Sequence, residues 1–67
     1  MKQLGANIAQ YRSRRGLTQE TLAEKTDCGR RTIQSIELGE RWPRPGTLLK
    51  ISRELNSPIS KLFLNID

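Results

Sequence analysis

The sequence predicts an all-α fold in which five short helices share one hydrophobic core. Apolar residues recur three or four positions apart in separate segments, which is the spacing of one helix face. Glycine, proline or asparagine separates these segments roughly every ten residues. No segment alternates apolar and polar residues as a half-buried strand does. With 67 residues, the chain is expected to form one domain over residues 1–67.

The first two helices are predicted from their apolar stripes and their end residues. The first should run from about Lys2 to Arg15, and Gly16 should end it in a left-handed conformation. The second should begin after Thr18, a good N-cap residue. The inward-facing residues are expected to be Leu4, Ile8 and Tyr11 in the first helix and Leu22, Ala23 and Thr26 in the second.

A turn over residues 27–29 joins the second helix to a third. Asp27 is expected to have a positive φ angle, which aspartate tolerates better than most residues. The third helix should start at Gly29 and stop at Gly39. Its expected inward-facing residues are Ile33 and Ile36.

Proline marks the beginning of each of the last two helices. Pro45 is expected at the first position of the fourth helix, where the missing N–H is harmless, and Asn56 should end that helix. Ser57 and Pro58 should begin the fifth. The expected buried residues of these two helices are Leu48, Ile51, Leu55, Ile59, Leu62 and Phe63.

The short connection between the second and third helices carries the functional prediction. Because residues 27–29 are too few for an ordinary loop, the two helices must turn sharply and stay in contact. The small side chain of Ala23 lets their backbones approach. Such spacing, here over about residues 18–38, is typical of a helix-turn-helix, whose second helix is presented to the major groove of DNA.

Composition limits the other classes of function. Twelve Lys and Arg against seven Asp and Glu give a net charge of +5, which favours a polyanionic partner. Without histidine and with Cys28 as the single cysteine, neither a zinc-ligand set nor an internal disulfide is expected. An enzyme is the poorest hypothesis, since we expect no carboxylate pair in a cleft and the chain has no glycine-rich phosphate loop. We expect no cofactor, metal or small-molecule ligand.

The chain has no apolar run long enough to span a membrane and no signal peptide. We therefore expect a soluble cytoplasmic protein without a membrane partner.

A longer set of residues matches a known family pattern in order. The set consists of Leu17, Thr18, Gln19, Leu22, Ala23, Ile33, Ile36, Glu37, Gly39, Arg41, Pro43, Leu48, Leu62 and Phe63. On these residues, the chain from about Leu4 to Phe63 resembles the DNA-binding domain of Cro and CI-type phage repressors and their bacterial relatives, the XRE family. The resemblance implies a compact five-helix, lambda-repressor-like fold with the helix-turn-helix in helices two and three. The chain departs from the family pattern at Thr26, Asp27, Gly29 and Ser57.

The resemblance implies a division of labour among the polar residues. With Ile33 and Ile36 turned inward, the expected base-reading residues of the third helix are Arg30, Arg31, Gln34 and Ser35. An arginine fork matches O6 and N7 of guanine, so we expect a half-site that contains G·C pairs. The expected phosphate-binding residues, which fix register without reading bases, are Thr18, Gln19, Thr32, Arg41 and Arg44. For Arg44, a merely solvated basic loop stays open.

Two further groups have structural predictions. The resemblance implies an ion pair between Arg12 of the first helix and Glu37 at the end of the third, which would orient the reading helix. A candidate dimer interface consists of Trp42, Leu62, Phe63, Leu64 and Ile66. For Trp42, stacking on a deoxyribose and packing over the fourth helix are alternatives. For the others, a place in the core or in the tail is the alternative.

These observations predict a sequence-specific regulator of transcription that binds double-stranded DNA. One domain makes too few base contacts for a unique site, so we expect a homodimer on a palindromic operator with half-sites about 34 Å apart. Repression would follow from exclusion of RNA polymerase, while activation by contact with the polymerase stays open. The alternative is a protein-interaction module on the same fold, such as an antitoxin or a coactivator-like domain.

Overall fold

The computed structural model describes residues 2–64, and these residues form five helices. The helices are α1 (Lys2–Arg14), α2 (Gln19–Lys25), α3 (Arg30–Glu37), α4 (Pro45–Glu54) and α5 (Ile59–Leu62). The all-α prediction is confirmed, and each helix lies where the sequence placed it to within two residues at either end. Ile66 of the candidate dimer interface lies outside the described residues.

The helix ends follow from local backbone chemistry. The Thr18 hydroxyl caps α2 by accepting a hydrogen bond from the Thr21 backbone N–H at 3.0 Å. Positive φ angles occur at Asp27 (58°) and Asn56 (52°), as predicted, and Gly16 (70°) follows α1 in the same conformation. Since Asp27 reverses the chain directly after α2, it sets the angle at which α3 leaves the turn.

The core lies where α1, α2 and α3 meet α4 and α5. Among residues 2–64, nine apolar side chains are buried in it: Leu4, Ile8, Leu22, Ala23, Ile33, Ile36, Ile51, Leu55 and Leu62. Tyr11, Leu17, Cys28, Leu48 and Phe63 pack against it while partly buried. The prediction of the inward faces is confirmed for the buried residues, whereas Tyr11, Leu48 and Phe63 lie at the edge of the core and Ile59 is half-buried.

Leu62 needs a correction. Its side chain has 0% exposure and fills the core beneath α5. The assignment of Leu62 to a dimer interface is therefore wrong, because a fully enclosed side chain offers no surface to a partner.

Two small features bring α3 into its place. Thr26 is 1% exposed, and its hydroxyl donates to the Leu22 carbonyl oxygen at 2.7 Å, so this polar side chain is accommodated in the core. Gly5 of α1 lies against the backbone carbonyl groups of Ile36 and Glu37, where a Cβ atom would collide with them. The end of α3 can therefore approach α1 more closely than any other residue at position 5 would allow.

Candidate nucleic-acid interface

The outward face of α3 is polar and basic. Ile33 and Ile36 are 0% and 1% exposed, so the helix is anchored on one side. The side chains of Arg30, Arg31 and Gln34 are exposed on the other side, while Thr32 and Ser35 are half-buried. Two guanidinium groups and one amide therefore face outward from a helix that is fixed to the core by its opposite face. This is the donor set that reads base edges in a major groove.

A polar network fixes the C-terminal end of α3. Arg12 of α1 donates from Nε to Glu37 Oε2 at 2.7 Å and from Nη2 to Glu37 Oε1 at 3.2 Å. A third hydrogen bond joins Arg12 Nη1 to the Leu17 carbonyl oxygen at 2.6 Å. The expected ion pair is present, and its side chains are only 16% (Arg12) and 6% (Glu37) exposed. Because the fork is bidentate, it restricts the rotation of α3 as well as its distance from α1.

Gln19 belongs to the same network, which sequence reasoning missed. Its Nε2 donates to Glu37 Oε1 at 2.9 Å, so the first residue of α2 is joined to the last residue of α3. One amide hydrogen of Gln19 is used in this way. The family resemblance predicted only a DNA contact for Gln19. Its contact with Glu37 could not be predicted from helical periodicity, because the two residues are far apart in the sequence.

The remaining phosphate candidates fall into two places. Thr18 is exposed, but its hydroxyl already makes two hydrogen bonds within the chain, as the cap of α2 and as a donor to Thr21 Oγ1 at 2.9 Å. Arg41 and Arg44 are exposed in the loop between α3 and α4, which we call the clamp loop (residues 39–44). Along the chain, Gln19 therefore precedes α3 and the clamp loop follows it.

An open groove separates the turn between α2 and α3 from the clamp loop. Its volume is about 580 Å³, and it is lined by Asp27, Cys28, Gly29, Thr32, Ile36, Arg41, Trp42, Pro43, Arg44 and Thr47. Thr32 and both clamp-loop arginines thus border one depression beside the N-terminal end of α3. Two cations and a hydroxyl around an open groove suit a phosphate oxygen, whereas the carboxylate of Asp27 opposes one.

Apolar side chains are exposed next to the clamp loop. Trp42 and Leu64 are both 52% exposed. The ring of Trp42 stacks on the partly buried ring of Phe63, with centroids 6.3 Å apart and planes inclined by 20°. We call Trp42, Phe63 and Leu64 the apolar seam. Trp42 therefore packs on the residue that follows α5, and its place in a dimer interface stays a prediction.

Asn7 is a second residue that sequence reasoning missed. It is 6% exposed and donates from Nδ2 to the carbonyl oxygens of Leu62 and Leu64, at 2.8 and 2.9 Å. One signal was available: an asparagine directly before Ile8 falls on the inward side of α1, where a polar group needs a partner.

Within residues 2–64, no helix has both the length and the apolar character that crossing a bilayer requires. The same residues contain no group of three or more His, Cys, Asp and Glu side chains arranged to hold a metal ion.

Comparison with known proteins, like the geometry of the site, indicates a helix-turn-helix protein that binds DNA. Residues 8–62 match the helix-turn-helix family HTH_3. An HTH-type transcriptional regulator from Archaeoglobus fulgidus, itself uncharacterized, is 39% identical over 57 residues, which cover 85% of this chain and 81% of the relative.

Two solved structures share the fold. The restriction-modification controller protein C.AhdI from Aeromonas hydrophila superposes with a TM-score of 0.88 at 29% identity, covering 92% of this chain and 94% of the controller. PlcR from Bacillus thuringiensis, solved in complex with the peptide PapR7 and DNA, superposes with a TM-score of 0.91 at 32% identity. The match to PlcR covers all of this chain and 24% of PlcR. The resemblance drawn from the sequence is confirmed: this chain belongs to the HTH_3 helix-turn-helix family of DNA-binding transcriptional regulators.

Proposed function

We propose that the protein is a homodimeric repressor that reads a palindromic operator with α3. The observation that carries the proposal is the outward face of α3, where Arg30, Arg31 and Gln34 are exposed on a helix whose other face is buried. Bidentate contacts from arginine to guanine and from glutamine to adenine are the common pairings in the major groove. Ser35 would contact a neighbouring base edge and complete the readout.

The phosphate contacts would come from both sides of α3. Gln19 has a free amide hydrogen on one side, and Arg41, Arg44 and the Thr32 hydroxyl border the groove on the other. Such contacts would fix the depth and the angle of α3 in the groove without selecting a base. Thr18 would act indirectly, by capping the helix that carries Gln19.

The dimer would form through the apolar seam. Trp42 and Leu64 expose about half of their surface, and Trp42 lies within the clamp loop. A second copy docked there would therefore stand beside the DNA-facing surface and could reach the next major groove on the same side of the duplex. Two copies would bind half-sites about 34 Å apart, and the bound dimer would exclude RNA polymerase from the promoter.

A selection experiment tests this function. Duplexes with a random central region are bound by the purified protein, recovered and sequenced over several rounds. We expect a palindrome with G·C pairs in each half and centres about 10 base pairs apart, and two copies of the chain on each bound duplex. Recovery of sequences without a shared pattern would contradict DNA reading, whereas a single unpaired half-site bound by one copy would contradict the dimer.

A narrower second role is favoured by one comparison. C.AhdI is matched over 94% of its own length and is a restriction-modification controller protein. The same role for this chain predicts that the selected operator lies in front of genes for a restriction enzyme and its methyltransferase. An operator in front of unrelated genes would contradict this narrower role and leave the DNA-binding proposal intact.

A further inference from the structure

One buried polar side chain has no part in reading DNA. The amide of Asn7 lies between α1 and the end of the described chain and makes three hydrogen bonds. It donates to the carbonyl oxygens of Leu62 and Leu64, at 2.8 and 2.9 Å, and its Oδ1 accepts from Gln3 Nε2 at 2.9 Å. Both donated bonds go to the backbone of a single short segment, on either side of Phe63.

This segment needs an external partner. α5 has only four residues, Ile59–Leu62, which is far below the length at which a helix is stable alone. The last carbonyl groups of any helix have no partner within the helix. Leu62 anchors α5 through its buried side chain, while Asn7 fixes the backbone that follows. The two anchors are therefore distinct: one is apolar and precedes Phe63, and the other is polar and extends beyond it.

The position of the apolar seam depends on the second anchor. Phe63 lies between the two carbonyl groups that Asn7 holds, and its ring stacks on Trp42. Leu64, the residue whose carbonyl group Asn7 binds directly, is half-exposed beside it. Two of the three seam residues thus have their backbone positions set by direct hydrogen bonds from α1.

We propose that Asn7 is a positioning residue of the dimer, which holds Phe63 and Leu64 in the arrangement that a second copy of this chain recognises. This inference rests on the proposed dimer. Without the two hydrogen bonds, Leu62 still keeps α5 on the core, but the residues after it lose their fixed position. The free energy of forming the dimer must then include the ordering of this segment. Base reading by α3 is unaffected, because α3 is held by Arg12, Glu37 and its own buried face.

The test uses Asn7→Asp, which conserves the shape of the side chain. A carboxylate cannot donate, and it repels the two carbonyl oxygens that the amide bound. Gln3→Ala is the matched control, since it removes the third hydrogen bond of the same amide and leaves both bonds to the C-terminal segment. Three quantities are compared with the wild type: the dimer dissociation constant by sedimentation, the affinity for a single half-site, and the near-UV circular dichroism of Trp42, the sole tryptophan.

For Asn7→Asp we expect the dimer dissociation constant to rise about 10-fold or more, as the loss of one buried and one partly buried hydrogen bond implies. The Trp42 signal should weaken because the stack with Phe63 loosens, while half-site affinity stays at the wild-type value. Gln3→Ala should leave all three quantities unchanged. A role in folding alone would instead lower half-site and full-site binding by the same factor.

Every other outcome contradicts a specific part of the proposal. A folded Asn7→Asp variant that dimerises like the wild type overturns the role of Asn7 and leaves the dimer standing. If Asn7→Asp does not fold, Asn7→Ala, which is uncharged and favours the helix, replaces it in the same comparison. Failure of both variants to fold also overturns the proposal, since Asn7 would then be needed for the fold itself. A wild-type chain that remains monomeric on a palindromic operator contradicts the dimer and, with it, this role.

Discussion

Arg12 and Glu37 join the first helix to the last residue of the reading helix through a bidentate ion pair whose Nε–Oε2 distance is 2.7 Å. Gln19 shares the Glu37 carboxylate, so one acidic group fixes the ends of α1, α2 and α3 relative to each other. The exposed Arg30 and Arg31 take no part in the hydrogen bonds of this network. The chain thus separates the charges that hold the helix from the charges that face outward.

The first prediction concerns this network. Replacing Glu37 by Gln leaves the guanidinium of Arg12 mostly buried without a counter-charge, and we expect the free energy of unfolding to fall by about 3 kcal/mol. Combining it with Arg12→Met should recover part of the loss, because the uncompensated charge is then removed as well. Urea denaturation of the wild type, both single variants and the double variant gives the coupling energy. Additivity of the single effects within about 0.5 kcal/mol would contradict a direct interaction.

The second prediction separates base reading from net charge. We expect Arg31→Ala to lower affinity for the selected operator by roughly 10- to 100-fold and to relax the base preference at one position of each half-site. Arg53→Ala removes the same charge from an exposed site in the last turn of α4 and should preserve the base preference. Titration of the operator and its single-base variants measures both effects. If Arg31→Ala keeps the wild-type base preference, this residue does not read a base.

The third prediction concerns the clamp loop. Arg41→Gln and Arg44→Gln should weaken binding to all DNA sequences alike, because phosphate contacts carry no base information. Each substitution should also reduce the slope of log affinity against log salt concentration by about 0.9, since one released counterion is lost. Binding isotherms at several salt concentrations give the slopes. An unchanged slope for Arg44→Gln would show that Arg44 contacts no phosphate and belongs to a solvated basic loop.

The fourth prediction compares two glycines. A methyl group at Gly5 would collide with the backbone of Ile36 and Glu37, so Gly5→Ala should lower the free energy of unfolding by about 3 kcal/mol. A Cβ atom at Gly46, in the first turn of α4, meets nothing within 4 Å, and Gly46→Ala should raise stability by up to about 1 kcal/mol. Thermal melts check both. Equal stability of the two variants would show that α1 and α3 can separate without cost.

Local chemistry was sufficient to predict most of the fold and the residues on the outward face of α3. Threonine caps, proline starts and the left-handed turn residues act within a few positions of themselves, so Thr18, Pro45, Asp27 and Asn56 gave the helix ends directly. The burial of Ile33 and Ile36 followed from helical periodicity, and it turned Arg31 and Gln34 outward. The Arg12–Glu37 pair was predicted as well, although through family resemblance and not through spacing.

Only the tertiary structure decided the contacts between distant residues. Gln19 meets Glu37 across 18 positions, and Asn7 meets the carbonyl group of Leu62 across 55. Leu62 turned inward and Phe63 turned towards Trp42, which divided a run of apolar residues between the core and the surface. The physical reason is that periodicity and capping depend on neighbours along the chain, whereas a buried amide or an aromatic ring takes the partner that packing brings to it.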